Sequence, residues 1–227
     1  MDETTKYFFL HIPKTGGTSV RKMMMSNYAS ICQVANIKQL KSQYDPNKRL
    51  YIGHFNFGVH EKINVKNFKY LTFLRDPIDR AISHYNYVKN RPNDPFYENS
   101  NKYDLISYIC KIREVQDNQS LKIYGKFNQR NVSIDGINEI IEKHFAFVGI
   151  TELMDVCLKR MSSVLNLELS NVGHENRNTT NTEVERGYLS RDTLEIIADL
   201  NKLDIELYEQ RRRIFEPNYQ YTIHANQ

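Results

Sequence analysis

The chain has 227 residues, 40% of them hydrophobic and 26% charged, and a formal net charge of +4. This length and composition suit a single globular domain over residues 1–227 that buries its own core without disulfide bonds. The mild positive charge allows an anionic ligand but does not indicate a nucleic-acid partner. The three cysteines lack the short spacing of zinc or redox motifs, which predicts buried or reduced thiols.

The apolar runs of the chain have the length of strands, and we expect no membrane span. The first residues, MDETTKYFF, lack the basic stretch and long apolar run of a signal peptide. We therefore expect a cytoplasmic protein.

In chain order, buried strands and helices alternate. The strands are expected at residues 7–11, 49–54, 68–74 and 145–150, where short apolar and aromatic runs occur. The helices are expected at 18–28, at 76–89 with Asp76 as cap, within 102–143, at 151–165 with Thr151 as cap, and within 190–215. A polar loop at 171–187 is unusually long, which suggests a function.

This alternation predicts an α/β fold with a mainly parallel sheet. Ligands of such folds bind at the carboxyl ends of the strands. Two segments with polar, chemistry-bearing residues follow strand ends: HIPKTGGTS at 11–19, and the residues after Leu74.

The segment HIPKTGGTS has the properties of a phosphate-binding loop. Gly16 and Gly17 allow backbone N–H groups to turn inward, a helix N-terminus follows, and Lys14 adds a full positive charge. The alternative is an ordinary strand–turn–helix connection with a solvated lysine. Short hydroxyl side chains are supplied by Thr15, Thr18 and Ser19.

The order of residues in this loop differs from that of the Walker A motif. There, Lys follows the last glycine and a Ser or Thr comes next to hold magnesium. Here Lys14 precedes both glycines. The loop is therefore not that of a magnesium-dependent NTPase.

The second segment, LTFLRDPIDRAISHYNYVKN at 71–90, places Arg75 at a strand end and Ser83 two helical turns further on. A guanidinium group suits a phosphate because it offers a planar pair of donors. Alternatively, Arg75 pairs with Asp79 or Asp76, and Ser83 is an exposed helix residue.

Taken together, the two segments resemble the sulfotransferases that use 3′-phosphoadenosine 5′-phosphosulfate (PAPS), in particular the heparan sulfate and uronyl 2-O-sulfotransferase branch. In that family a PKTG-T-S loop binds the 5′-phosphosulfate, and an RDP-x-x-R-x-x-S-x-Y segment binds the 3′-phosphate through its Arg and Ser. The resemblance implies the sulfotransferase fold, a P-loop-like three-layer sandwich with a central, mainly parallel sheet flanked by helices. The matching positions are Pro13 to Ser19, Arg75, Asp76, Pro77, Arg80, Ser83 and Tyr85.

Three further segments extend the resemblance. In YIGHFNFG, at 51–58, the family's Gly-His carries the catalytic base, which implies this role for His54. Without the resemblance, His54 would be read as a core histidine bonded to a backbone carbonyl. FAFVGITELMD at 145–155 is similar to a strand-to-helix turn of the family, and HENRNTT at 174–180 to its late nucleotide-covering loop. Residues 93–143 match nothing specific.

The implied reaction is transfer of a sulfuryl group from PAPS to an acceptor hydroxyl, favouring a carbohydrate, without a metal ion. His54 would remove the hydroxyl proton, and Lys14 would stabilise the leaving 5′-phosphate. The remaining binding roles fall to Thr15, Gly16, Gly17, Thr18 and Ser19 for the 5′-phosphate, and to Arg75 and Ser83 for the 3′-phosphate.

Two other functions stay open from the sequence. One is a non-catalytic nucleotide- or glycan-binding module on the same fold, against which the presence of both Lys14 and His54 counts. The other is an ATP-dependent P-loop phosphotransferase, against which the missing Gly-Lys-Ser/Thr order counts. His60 and His84 are weaker rivals for the base, and His11 is expected to support the loop.

Overall fold

The computed structural model describes residues 4–27, 30–125, 131–166 and 184–223, with residues 18, 19, 26 and 27 described by backbone alone. The chain forms two compact units. The first contains Met1–Leu74 and Gln119–Glu175, and the second contains Arg75–Asn118 and Asn176–Gln227. The chain therefore passes between the units three times. Whether they fold as the single domain predicted from the sequence stays a prediction.

The first unit is built on a parallel sheet of five strands in the order β2-β3-β1-β4-β5. Helices flank this sheet, so the predicted α/β class is confirmed. The predicted runs at 68–74 and 145–150 match their strands at both ends. The strands are β1 (Lys6–Leu10), β2 (Ile31–Gln33), β3 (Leu50–Gly53), β4 (Phe68–Leu74) and β5 (Phe145–Ile150).

Aromatic side chains hold the three central strands in register. Phe8 on β1 is the partner of Tyr51 on β3 and of Tyr70 on β4. Its ring stacks on both, with centroids 5.2 and 5.4 Å apart, and all three residues are fully buried. Central parallel strands are covered on both faces, so this apolar, aromatic composition is what the position requires.

The predicted helices appear in the predicted order, and two short helices that were not predicted, at residues 37–43 and 97–102, and several 3-10 segments occur besides them. In the first unit lie α1, α2, α6 from Gln119 onward, α7 and α8; the others belong to the second unit. The α-helices are α1 (Gly17–Asn27), α2 (Ile37–Gln43), α3 (Pro77–Lys89), α4 (Tyr97–Lys102), α5 (Leu105–Lys111), α6 (Asn118–Tyr124), α7 (Ile134–His144), α8 (Met154–Leu165), α9 (Arg191–Asp199) and α10 (Lys202–Arg212). The 3-10 helices are Val59–Ile63, Arg113–Val115, Thr151–Leu153 and Arg186–Tyr188.

Helix α3 organises the second unit and begins as predicted. The Asp76 side chain accepts a hydrogen bond of 3.0 Å from the backbone N–H of Asp79, and Pro77 occupies the first turn. The apolar face packs into the core of this unit. That core consists of Ile78, Ala81, Ile82 and Tyr85 from α3 together with Leu105, Tyr108, Ile109, Ile112, Val115, Leu194, Ile197 and Ala198.

Within the described part of the chain, none of the helices combines the length and the apolar character needed to cross a membrane.

Candidate functional site

Several predicted site residues of the first unit lie at one edge of its sheet. Because all five strands are parallel, their carboxyl ends share that edge. The loop at 11–17 follows β1, His54 follows β3, and Thr151 follows β5. β3 and β4 are the two neighbours of β1, so the loop lies in the middle of the edge.

The loop between β1 and α1 makes a tight turn. Lys14 and Gly16 both adopt left-handed backbone conformations, with φ of 72° and 73°. The buried hydroxyl of Thr15 donates to the carbonyl of Ile12 at 2.9 Å, which closes the turn. Glycine is favoured at position 16 because a side chain is strained at this φ and because a Cβ atom there would lie 2.7 Å from Cε of Met154.

Helix α1 begins at Gly17, directly after the turn, and has no acidic residue in its first turn. The positive end of its dipole is therefore uncompensated by a local carboxylate, a property shared with anion-binding helix starts. The half-buried Lys14 adds positive charge from the same loop. The side chains of Thr18 and Ser19, which the sequence predicts to bind phosphate, lie outside the described part of the chain.

The ring of His11 packs between Gly17 and the ring of His54. A Cβ atom on Gly17 would lie 1.9 Å from Nε2 of His11, so the imidazole edge occupies the space beside α1's first residue. The ring of His11 also stacks on the ring of His54, with centroids 4.3 Å apart and planes 25° apart. The sequence assigned His11 a supporting role in the loop but did not predict the stack.

The imidazole of His54 has a defined hydrogen-bond partner. Its Nδ1 lies 2.9 Å from the carbonyl oxygen of His11. A carbonyl can only accept, so Nδ1 carries the proton in the neutral ring and Nε2 keeps its lone pair. The sequence's alternative for His54, a bond to a backbone carbonyl, is thus present, but in an exposed residue rather than a core one.

Both imidazoles of this pair favour the neutral form. Burial, then the charges of His54, Arg21 and Lys122, lower the pKa of His11 to about 3. The pKa of His54 is also lowered, because surrounding protein atoms remove water from the ring even though the residue as a whole is exposed. The hydrogen bond to the His11 carbonyl opposes this shift, and the charge of Lys122 adds to it. At neutral pH, His54 is therefore able to accept a proton.

Lys122 on α6 supplies positive charge near the two histidines. Its Nζ donates to the side-chain oxygen of Asn56 at 3.2 Å, two residues after His54. Lys122 comes from the stretch 93–143, where the sequence matched nothing specific. A lysine on a helix is common, so the sequence alone did not indicate that Lys122 lies near the site.

Thr151 is a second residue whose role the sequence missed. It was predicted to cap the helix after β5, but the helix α8 begins at Met154 without a side-chain cap, so that prediction is wrong. The hydroxyl of Thr151 instead lies 2.9 Å from the carbonyls of Thr15 and of Leu74. It ties the loop after β1 to the ends of β4 and β5.

The predicted 3′-phosphate residues belong to the second unit. Arg75 is half-buried and directly follows β4, and Ser83 is half-buried on α3. The sequence's alternative paired Arg75 with Asp76 or Asp79. In the structure, Nη1 of Arg186 lies 3.2 Å from Asp76 and 3.4 Å from Asp79, and the charges of both Arg186 and Arg75 act on Asp79.

Arg186 was not predicted as a site residue, although it lies in the suspected polar loop at 171–187. Besides the two carboxylates of α3, its Nη2 donates to the carbonyls of Thr222 and Ile223 at 3.0 and 2.7 Å. Nearby, the Asn86 side chain bonds both the N–H and the carbonyl of Val184. The segment at 184–188 is therefore held firmly against α3. The part of the loop at 174–180, predicted to cover the nucleotide, lies outside the described residues.

Two motif positions have internal roles. Arg80 is fully buried and donates from Nη2 to the carbonyl of Val115 at 2.8 Å, while Asp204 and Asp117 offset part of its charge. The hydroxyl of the buried Tyr85 donates to the carbonyl of Tyr103 at 3.1 Å. Both residues thus support the second unit from inside.

The two rival histidines, His60 and His84, are each buried, and each lies within hydrogen-bond distance of a tyrosine hydroxyl. Nδ1 of His60 lies 2.8 Å from the hydroxyl of Tyr70, and its ring stacks on Phe68 at the amino end of β4, the sheet edge opposite His54. Nδ1 of His84 lies 3.3 Å from the hydroxyl of Tyr108. Of the three histidines, His54 is the one exposed to solvent. Among the described residues, no cluster of three or more His, Cys, Asp or Glu side chains with metal-ligand geometry is found.

Comparison with known proteins identifies related sequences. The family model described as "Sulfotransferase family" matches residues 1–209. Heparan-sulfate 6-O-sulfotransferase 1-B of Danio rerio is 22% identical over 94% of this chain and 66% of its own length. Heparan-sulfate 6-O-sulfotransferase 2 of Gallus gallus is 24% identical over 94% and 67%. The chain thus spans about two thirds of the length of these curated relatives.

Solved structures share the fold. Mouse sulfotransferase SULT7A1, crystallised with PAP, matches with a TM-score of 0.57 and 14% identity over 94% of this chain and 89% of its own. A sulfotransferase from Alicyclobacillus acidocaldarius matches with a TM-score of 0.56 and 12% identity, over 95% and 97%.

Proposed function

The chain belongs to the sulfotransferase family, whose model matches residues 1–209, and we propose that it transfers a sulfuryl group from PAPS to a hydroxyl group of a carbohydrate acceptor. One observation carries this proposal: two features lie at the same edge of the sheet. The first is the tight loop at 11–17, which leads into the N-terminus of α1, and the second is His54, whose Nε2 lone pair is available.

In this proposal, His54 removes the proton of the acceptor hydroxyl. The acceptor oxygen forms a bond to sulfur, the bond between sulfur and the oxygen of the 5′-phosphate breaks, and the proton moves to Nε2 of His54. The products are the sulfated acceptor and adenosine 3′,5′-bisphosphate. The low pKa of the neutral His54 ring allows it to act as base at neutral pH.

Lys14 and the loop bind the 5′-phosphate and stabilise the negative charge that develops on it. The positive end of α1 and the backbone N–H groups of Gly16 and Gly17 add to this. Since the Thr15 hydroxyl already closes the turn, Thr15 would contribute through its backbone N–H. Thr18 and Ser19 complete the proposed 5′-phosphate set, and Arg75 and Ser83 bind the 3′-phosphate.

A transfer assay with radiolabelled PAPS and a desulfated glycan tests the catalytic role. His54→Asn keeps a donor that can reach the His11 carbonyl but has no basic ring nitrogen, so turnover should fall by roughly 10²–10⁴-fold. His144→Asn, at the opposite sheet edge, is the matched control and should keep near-normal turnover. Equal activity of His54→Asn and the unchanged protein would remove His54 from this role.

Binding of the nucleotide is tested separately by thermal unfolding with adenosine 3′,5′-bisphosphate. At about 100 times its dissociation constant, a ligand stabilises the fold by roughly 2.7 kcal/mol, or about 5–11 °C for a chain of this size. Arg75→Ala should lose most of this shift, and the exposed Arg191→Ala should keep it. A shift with ATP and magnesium alone would instead indicate a phosphotransferase, and binding without transfer would indicate a non-catalytic module.

The position of sulfation is a finer proposal. The sequence motifs resemble the 2-O branch, whereas the curated relatives described above are named heparan-sulfate 6-O-sulfotransferases. Disaccharide analysis of the sulfated product decides between the two: a 2-O-sulfated uronic acid supports the branch predicted from the motifs, and 6-O-sulfated glucosamine supports the branch of the relatives.

The cytoplasmic location is likewise a proposal. Cell fractionation tests it, with recovery in the cytosolic fraction as the expected result. Recovery in a membrane fraction would contradict it.

A further inference from the structure

His54 is held by one residue, His11, through two different contacts. The carbonyl of His11 accepts the hydrogen bond from Nδ1 of His54 at 2.9 Å, and the ring of His11 covers one face of the His54 ring at 4.3 Å. The first contact determines which ring nitrogen carries the proton. The second restricts the rotation of the ring.

The same ring also contacts the loop on which the proposed 5′-phosphate site is built. Its Nε2, Cδ2 and Cε1 atoms would lie 1.9, 2.0 and 2.7 Å from a Cβ on Gly17. His11 therefore lies between the first residue of α1 and the proposed base. A displacement of the ring changes the distance between them.

Burial, and then the charges around the pair, keep His11 neutral. The groups that act on it are His54 after β3, Arg21 on α1 and Lys122 on α6, and Lys122 also acts on His54. A neutral neighbour allows His54 to become positively charged when it accepts a proton. Two charged rings stacked at this distance would repel each other.

We propose that His11 is a positioning residue for His54: its carbonyl fixes the Nδ1–H tautomer, and its ring holds the base at a set distance from the loop. This inference rests on the proposed function, in which His54 is the base. His11 is not itself the base in this proposal, because its Nε2 packs against Gly17.

The first test measures His54 directly and needs no activity. In protein labelled with ¹⁵N in its histidine rings, the His54 resonances are titrated in the unchanged chain, in His11→Ala and in His11→Phe. Loss of the covering ring in His11→Ala should raise the pKa of His54 toward its ordinary value, whereas His11→Phe should keep it low. Unchanged titration of His54 in His11→Ala overturns the proposal.

The second test uses the transfer reaction. A misplacement of about 1 Å can cost up to roughly 10²-fold in rate, so His11→Ala should lower kcat by about 10–100-fold, with the lower-pH limb of its pH profile moved upward. His11→Phe, which keeps a flat ring, should recover most of the rate. An equal loss in His11→Phe would show that stacking does not hold His54, against the proposal.

A double variant shows whether His11 acts through His54. In a His54→Asn background, His11→Ala should change kcat by less than about threefold, because residues that act as a unit are not additive. Losses that multiply would refute the positioning role. If the unchanged protein transfers no sulfuryl group, the proposed function fails, while the ¹⁵N titration still decides the contact between the rings.

Discussion

Replacing Gly17 with alanine should disturb the candidate site in a way that depends on residue 11. Nε2 of His11 would lie 1.9 Å from the new Cβ, whereas ordinary contacts between carbon-sized atoms lie at about 3.5–4.0 Å. The ring must therefore move by about 1.6–2 Å. Overpacking of this kind costs about 1–3 kcal/mol, and the stacked His54 would be displaced with the ring.

The same substitution should be harmless once the ring is removed. Gly17 has a backbone conformation open to any residue, and at such a position alanine is more stable than glycine by roughly 0.4–1 kcal/mol. In a His11→Ala background, Gly17→Ala should therefore be neutral or stabilising. Any gain from alanine itself is present in both backgrounds and cancels, so the coupling free energy between the two positions should be roughly 1–3 kcal/mol.

Urea denaturation of the four variants, the unchanged chain, both single variants and the double variant, measures this coupling. Gly187→Ala is the matched control, because a Cβ atom added to Gly187 would meet no atom within 4 Å. It should change stability by less than about 0.5 kcal/mol. If Gly17→Ala has the same cost with and without the His11 ring, the packing of His11 against Gly17 is wrong.

Three further changes test other contacts. Thr151→Val removes the hydroxyl shared by two carbonyls and should cost about 1–2 kcal/mol in urea denaturation, with Thr151→Ser restoring most of it. Arg186→Gln breaks the ion pairs with Asp76 and Asp79 and should lower the free energy of unfolding by roughly 2–3 kcal/mol. A decrease below about 0.5 kcal/mol would contradict the tight attachment of residues 184–188 to α3. Burial, followed by the charge of Asp204, raises the pKa of Asp117 to about 6. The folded protein therefore holds this proton more tightly than the unfolded chain does, and the free energy of unfolding falls as the pH rises from about 4 to about 6. Asp117→Asn should remove about 1–2 kcal/mol of this fall, measured from urea midpoints at both ends of the range.

The sequence predicts most of the regular structure because the relevant signals are local. The apolar run of β4 and the Asp76–Pro77 start of α3 each follow from neighbouring residues alone. β2 was missed because it has only three residues, ICQ, on the edge of the sheet and partly exposed. Its strand form depends on pairing with β3, which no local pattern reports.

The candidate site divides in the same way. His54 and the loop were found from short motifs, but their mutual arrangement depends on contacts distant in sequence. The bond from His54 to His11 joins residues 43 apart, and those from Thr151 span 136 and 77 positions. The cap prediction for Thr151 was wrong because these tertiary contacts, rather than a local turn, determine where its hydroxyl bonds. The predicted roles of Lys14, Arg75 and Ser83 stay predictions.

The contact between His11 and Gly17 also constrains how the sequence can evolve. A side chain at position 17 and an imidazole at position 11 compete for the same space, so the order of substitutions matters. A lineage that first exchanges the ring for a smaller residue can acquire alanine or serine at position 17 without this clash, whereas the reverse order passes through a crowded intermediate that is less stable by about 1–3 kcal/mol. The residue that position 17 tolerates thus depends on the residue at position 11, and the two positions should vary together across descendants of this chain.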